Sequence, residues 1–146
     1  MEWKTDSDKI FLRIDPGEPL VASLIQLSAT LDLTSAAIIS GVGMLAEVKL
    51  GFFEVELDDY KTTELKGIYD LDSIIGNITR RDGAPAAHVH VIFNDASHKT
   101  YSGHLIEARY HITMEIFLAA TALRLYRVKQ PDRPATQITW EKANEL

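Results

Sequence analysis

The sequence predicts an α/β (α+β) fold that is mainly an antiparallel sheet, with one long helix near the N-terminus. Most of the chain consists of short runs of β-branched and aromatic residues separated by glycine, proline or Asp-Gly turns, which is typical of strands. Helical periodicity occurs only once, between residues 20 and 31. Because helices do not alternate with the strands, the neighbouring strands are expected to be antiparallel.

The predicted elements follow one another through short connections. Residues 9–14 predict a strand that ends at the turn sequence Asp15-Pro16-Gly17. A leucine at every third or fourth position from Leu20 to Leu31 then predicts an amphipathic helix of about four turns, with Pro19 where a first helical turn tolerates it. Further strands are predicted over residues 36–40, 45–57, 64–68, 71–80, 87–93, 104–110, 112–118 and 122–128.

Length and composition favour one globular domain. The chain has 146 residues, of which 46% are hydrophobic and 25% charged, and no repeat or linker divides it. We therefore expect a single domain over residues 1–146, with a core over about 10–128 and a polar C-terminal tail over 129–146. No apolar run reaches the length of a membrane span and the N-terminus does not resemble a signal peptide, so a cytoplasmic location is expected.

Two features of the composition restrict the chemistry. The chain has no cysteine, which excludes disulfides, thiolate nucleophiles and cysteine-ligated zinc or iron–sulfur sites. A transition metal would have to be held by carboxylates or by some of the five histidines. The net charge of −6 disfavours binding to nucleic acid through bulk electrostatics.

A glycine motif after the predicted strand 36–40 raises the question of a dinucleotide site. Residues 41–46, Gly-Val-Gly-Met-Leu-Ala, fit the relaxed dinucleotide-binding fingerprint. The residues that follow predict a strand, whereas a pyrophosphate would need a helix N-terminus there. We interpret the motif as a glycine turn between two strands and predict no nucleotide cofactor.

Three histidines form the strongest candidate site. His88 and His90 lie two positions apart on a predicted strand, so both side chains leave the same face about 7 Å apart. The following hairpin returns through His104, and directly opposed residues of antiparallel strands approach within about 5 Å. Three imidazoles leave a fourth coordination position open, as in catalytic zinc sites, and Gly103 would allow a close approach beside them. The same spacing also fits polar side chains on a solvated strand face, and both interpretations stay open.

Three other polar residues are weighed against this cluster. His98 lies at the tip of the predicted hairpin and is expected to be exposed, whereas His111 is interpreted as a structural histidine. Glu115 stands in an otherwise apolar strand, where it could orient a histidine, act as a general base or face the solvent. It is the one candidate catalytic residue.

Six short motifs follow one another along the chain, and the resemblance that they carry extends from about residue 10 to 128. The motifs are Ile39-Ser40-Gly41-Val42-Gly43, Gly76-Asn77-Ile78, Asp82-Gly83, His88-Val89-His90, Gly103-His104-Leu105 and Thr113-Met114-Glu115. This ordered set resembles the PPC (plants and prokaryotes conserved) family, in particular its stand-alone archaeal and bacterial members, which are labelled as DNA-binding proteins with AT-hook-like features.

The resemblance implies a partner and a cofactor. It implies a homotrimer, with a metal, usually zinc, bound near the subunit interface by the histidines that match His88, His90 and His104. Plant members carry AT-hooks, which are short Arg-Gly-Arg-Pro segments that enter the minor groove. This chain has no such segment, so the DNA contacts of the plant proteins do not carry over.

Three functions are compatible with these residues. The first is a metal-binding homotrimer, regulatory or DNA-associated, that binds other proteins. The second is a metal-dependent hydrolase or lyase that acts on a small ligand, with Glu115 as the candidate base. The third is direct DNA binding through the basic residues Arg80, Arg81, Arg124, Arg127, Lys129 and Arg133. We favour them in that order, and whether the protein is an enzyme stays open.

Overall fold

The computed structural model describes residues 1–132 and 134–140, and strands dominate it. Strands make up 71% of the described residues and helix 8%. The elements are β1 Glu2–Asp6, β2 Lys9–Ile14, α1 Leu20–Thr30, β3 Ser35–Glu54, β4 Asp59–Arg81, β5 Ala84–Asn94, β6 Thr100–Thr121, β7 Leu125–Lys129 and β8 Thr136–Trp140. The eight described strands form one sheet in the order β1-β2-β6-β3-β4-β7-β8, with β5 paired to both β4 and β6.

The expected α/β (α+β) class with one long helix is wrong, because the fold is a large sheet with one short helix. Helix α1 has 11 residues, or about three turns rather than four. Strands β3, β4 and β6 have 20, 23 and 22 residues, and each joins segments that were predicted as separate strands. The sheet is also mixed, since β7 meets β4 in parallel at the pair Arg80 and Tyr126.

The glycines of residues 41–46 show why the strands are longer than expected. Gly41 and Gly43 lie inside β3, so the interpretation as a turn between two strands is wrong. A Cβ at Gly43 would lie 2.3 Å from the carbonyl oxygen of Thr113 on β6. Glycine is therefore needed there for the close approach of two strands, and the register shifts nearby bend β3 without ending it. The chain continues as a strand, as expected, and offers no helix N-terminus to a dinucleotide.

The core lies between α1 and one face of the sheet. Leu20, Leu24 and Leu27 of the helix are fully buried, and the helix packs mainly against β5 and β6. Val89, Val91 and Phe93 of β5 alternate with more exposed residues and point into this core. The other buried hydrophobic residues include Leu12, Ile14, Ile38, Leu45, Leu71, Ile74, Ile78, Leu105, Tyr110, Met114, Ile116 and Leu118.

The two peripheral strands β1 and β8 were not predicted. Most residues of β1 are exposed and polar, and β8 lies in the segment that was expected to be a polar tail. In β8, Trp140 is 65% exposed. Arg133 and residues 141–146 lie outside the described residues. Within the described part of the chain, no helix is long and apolar enough to cross a membrane.

Candidate metal centre

The structure brings His88, His90 and His104 together. One possible ligand atom from each of the three residues lies within 4.8 Å of those of the other two. The ring centroids are 5.2 Å apart for His88 and His90, 4.9 Å for His88 and His104, and 5.4 Å for His90 and His104. His88 and His104 are partly buried, whereas His90 is exposed. The cluster therefore lies at the surface, open to ions from the solvent.

Strand pairing creates this cluster. His88 and His90 leave the face of β5 that points away from the core, because Val89 and Val91 point into the core. His104 of β6 lies directly opposite His90. On the other side of β5, Asn77 lies opposite His88 and Gly76 lies opposite Val89. A Cβ at Gly76 would lie 2.1 Å from the carbonyl oxygen of His88, so glycine is needed for β4 to approach the two histidines.

The surroundings of His88 and His104 favour the neutral form of these two imidazoles. Burial lowers the pKa of His104 to about 4, and His88, His90 and Arg127 add to this effect. Burial also lowers the pKa of His88, together with Arg127 and His90. Nδ1 of His104 is buried and has no hydrogen-bond partner. Neutral imidazoles with free lone pairs are the form that binds transition metals, so this donor set fits such an ion.

Tyr60 supports the cluster and was missed by the sequence analysis. Its ring stacks on His104, with centroids 4.7 Å apart and an interplanar angle of 20°. Gly51 of β3 lies directly opposite His104, and a Cβ there would lie 2.8 Å from Cδ1 of Tyr60. The glycine thus leaves the space in which Tyr60 crosses over to the histidine.

Arg127 of β7 is a second residue that the sequence did not assign to the site. Its Nη2 donates to Oδ1 of Asn77 at 2.8 Å and to Nδ1 of His88 at 3.1 Å. Its Nε is buried without a hydrogen-bond partner. Burial lowers the pKa of Arg127 from its ordinary value, although a guanidinium stays charged at neutral pH. Sequence reasoning had grouped it with the candidate DNA contacts, and only tertiary structure places it here.

The structure leaves Glu115 apart from the three histidines. It lies eleven positions from His104 along β6, a path of roughly 35 Å. It is exposed, and its Oε1 accepts a hydrogen bond from Thr113 Oγ1 at 3.2 Å.

The remaining candidates near the hairpin also lie outside the cluster. His98 is exposed in the hairpin loop, as expected, and His111 is exposed on β6. No described backbone atom makes the close approach that was expected beside Gly103. A Cβ there would meet only Leu50, at an ordinary 3.5 Å.

Several solved structures are similar to this chain. A plant- and prokaryote-conserved (PPC) protein from Pyrococcus horikoshii is 29% identical with a TM-score of 0.82, over 98% of this chain and 96% of that chain. A metal-containing protein from Archaeoglobus fulgidus is 24% identical with a TM-score of 0.81, over 97% of each chain. A "putative DNA-binding protein" from Ralstonia eutropha JMP134 is 20% identical with a TM-score of 0.89, over 95% of this chain and 96% of that chain. The last two show a shared fold only.

The comparison of sequences identifies the family. No curated protein matches the chain in sequence. The model of the Plants and Prokaryotes Conserved (PCC) domain matches residues 1–122, which include all three histidines of the cluster and most of the sheet. The predicted membership is therefore confirmed, and the chain belongs to the Plants and Prokaryotes Conserved domain family.

Proposed function

We propose that the protein binds one zinc ion per chain through His88, His90 and His104, and that it acts as a homotrimer in a regulatory role. The convergence of the three imidazoles, with ligand atoms within 4.8 Å of one another, carries this proposal. Surface histidines on two different strands do not ordinarily direct their ring nitrogens toward one common position. A bound ion would give them a common partner.

The chemistry of the donors favours zinc. Three nitrogen ligands without cysteine suit zinc, and they leave a fourth position free, which structural zinc sites do not. The unpartnered Nδ1 of His104 supports the same conclusion, because a buried nitrogen without a hydrogen bond is costly unless a ligand occupies it. A zinc ion held in this way acts as a Lewis acid that can accept one further ligand.

The face of the sheet that points away from the core supports assembly. Five large apolar side chains on this face are between 45% and 57% exposed. One of them, Ile75, lies directly opposite His90, so the apolar face and the histidine cluster adjoin. Burying this face against further copies would remove apolar surface from water and place the cluster near the interface, as the resemblance to the PPC family implies. The five residues are Ile39, Val42, Ile75, Ile92 and Phe117.

Direct DNA binding has less support, because most of the candidate basic residues already have partners. Arg80 pairs with Asp32 at 3.0 Å, and Lys129 pairs with Asp58. Arg81 lies 3.9 Å from Asp82, and Arg127 belongs to the histidine cluster. Arg124 is exposed, and Arg133 lies outside the described residues. Together with the net charge of −6, this pairing favours a regulatory role that acts through other proteins.

One observation favours the alternative of a metal-dependent hydrolase or lyase. Arg127 places a guanidinium beside His88, where it could stabilise negative charge that develops near a bound metal. Glu115 does not lie there to act as a base. Turnover of ester, phosphate or cyclic amide substrates by the zinc-loaded protein, lost on chelation with the fold intact, would establish this alternative over the regulatory role.

The proposal is tested by metal analysis of matched variants. Purified protein should contain about one zinc per chain, and His90→Ala should lose it because one of the three ligands is removed. The core should stay intact in this variant, because His90 is exposed. His111→Ala is the matched control, since it removes an exposed histidine of β6 outside the cluster. Zinc that is absent from the wild type, or retained equally by both variants, would contradict the site. A monomeric mass in solution would contradict the assembly.

A further inference from the structure

The hydrogen bond between Arg127 and His88 cannot survive metal binding. A guanidinium only donates, so Nδ1 of His88 must accept through its lone pair, at 3.1 Å from Nη2. A neutral imidazole has one lone pair and one N–H. If Nδ1 binds the metal, its lone pair is taken. If Nε2 binds the metal, the proton moves to Nδ1 and faces the arginine donor. With either nitrogen as ligand, the bond breaks and the guanidinium has to turn away from His88.

The released guanidinium has two donors that suit a carboxylate. Nε of Arg127 is already buried without a partner, which is a cost that a ligand would remove. Nε and Nη2 form one side of the guanidinium, with two parallel N–H groups that match the two oxygens of a carboxylate. Asn77 accepts from Nη2 at 2.8 Å and can hold the arginine near the cluster while it turns.

The charges of the site also call for an anion. The groups that act electrostatically on His104 are His88, His90 and Arg127, and those that act on Arg127 are Tyr60 and Arg81. No carboxylate is among them. Among the described residues of one chain, the groups that act on His104 and Arg127 would therefore leave a divalent ion and a guanidinium close together without a carboxylate of their own, and the exposed position of His90 leaves access to the cluster.

We propose that Arg127 selects the ligand of the metal site: it closes the metal-free site through His88, and in the metal-bound protein its Nε and Nη2 bind a small carboxylate at the position that the histidines leave open. This inference rests on the proposed zinc site and names the class of ligand for it. Metal and carboxylate binding are then cooperative. Metal binding releases Arg127 from His88 so that it can bind the carboxylate, and carboxylate binding holds Arg127 away from His88 so that the metal can bind.

The test is the coupling between zinc and acetate. Zinc affinity is measured by competition with a chelator, with and without acetate, for the wild type, Arg127→Gln and the control Lys129→Gln. The control removes one positive charge from the same strand, but Lys129 pairs with Asp58 and not with the histidines. Acetate should raise the zinc affinity of the wild type and of the control about fivefold or more, and should leave Arg127→Gln unchanged. Without acetate, Arg127→Gln should bind zinc at least as tightly as the wild type, since no hydrogen bond has to break.

A second measurement needs no variant. In an NMR spectrum of the wild type, acetate should shift the Nε–H resonance of Arg127 in the zinc-loaded protein and leave it unchanged in the metal-free protein. A wild type that binds zinc with no dependence on acetate, or an Arg127→Gln variant with full dependence, would overturn this inference and leave the zinc site standing. Absence of zinc binding by the wild type would overturn the proposed function and this inference together.

Discussion

Two glycines beside the histidines are predicted to respond in opposite ways to alanine. Gly76 lies between the residues that pair with His88 and His90, and a Cβ there would lie 2.1 Å from the carbonyl oxygen of His88. Reaching 3.0 Å, the shortest separation that real Cβ atoms show, requires β4 and β5 to move apart by about 0.9 Å. At Gly103, directly before His104, the nearest atom is Cδ1 of Leu50 at 3.5 Å, so alanine fits without movement.

The expected magnitudes follow from these contacts. Overpacking of this kind costs about 1–3 kcal/mol, and a weakened strand ladder adds about 1 kcal/mol, so Gly76→Ala should lower the free energy of unfolding by about 2–4 kcal/mol. Gly103→Ala should be neutral or should stabilise by about 0.5–1 kcal/mol, because glycine in a strand interior is less favourable than alanine. The displacement of His88 and His90 in Gly76→Ala should also weaken zinc binding about tenfold or more.

Urea unfolding and zinc titration of the two variants provide the assay. The reasoning is refuted if the two variants unfold at the same urea concentration, or if Gly76→Ala retains the zinc affinity of the wild type. A loss of zinc affinity in Gly103→Ala that equals the loss in Gly76→Ala would likewise show that the close approach at Gly76 does not position the histidines.

Three further predictions concern other parts of the molecule. Burial raises the pKa of Tyr110 to about 12, and its hydroxyl has no hydrogen-bond partner. The free energy of unfolding should therefore hold below pH 10 and fall by roughly 2–3 kcal/mol between pH 10 and 12. In urea unfolding, Tyr110→Phe should abolish this loss, and an unchanged loss would contradict the assignment. Gly51→Ala should displace Tyr60 from His104, which NMR would detect as a changed ring-current shift of the His104 protons; an unchanged shift would contradict the role of the glycine. Affinity for duplex DNA should be weak and nearly constant between about 50 and 200 mM salt, whereas a fall of several orders of magnitude would indicate phosphate contacts.

The histidine cluster could be predicted because it depends on local geometry. The two-residue period of a strand places His88 and His90 on one face, and a hairpin of ordinary length brings His104 opposite His90. Such regularities need only the order of residues over a short stretch. In the structure Val89 and Val91 are buried, which fixes the direction in which the histidines point.

The rest of the site depends on contacts between distant segments. Tyr60 reaches His104 from the start of β4, and Arg127 reaches His88 across 39 positions of the chain. Neither residue has a neighbour in sequence that marks it as part of a site. The interpretation of Gly41 and Gly43 as a turn was wrong for a related reason. These glycines lie inside a strand because β6 passes within contact distance of them, and the local sequence does not show that contact. The strand content was underestimated for the same reason.

The environment of the metal itself tests the central claim most directly. X-ray absorption at the zinc edge on the purified wild-type protein should show three imidazole nitrogens at about 2.0–2.1 Å and one further light ligand. The same spectrum of His90→Ala, after zinc is added back, should lack this set of three nitrogens. A wild-type protein without zinc, or zinc surrounded mainly by oxygen, would contradict the assignment of His88, His90 and His104 as the ligands.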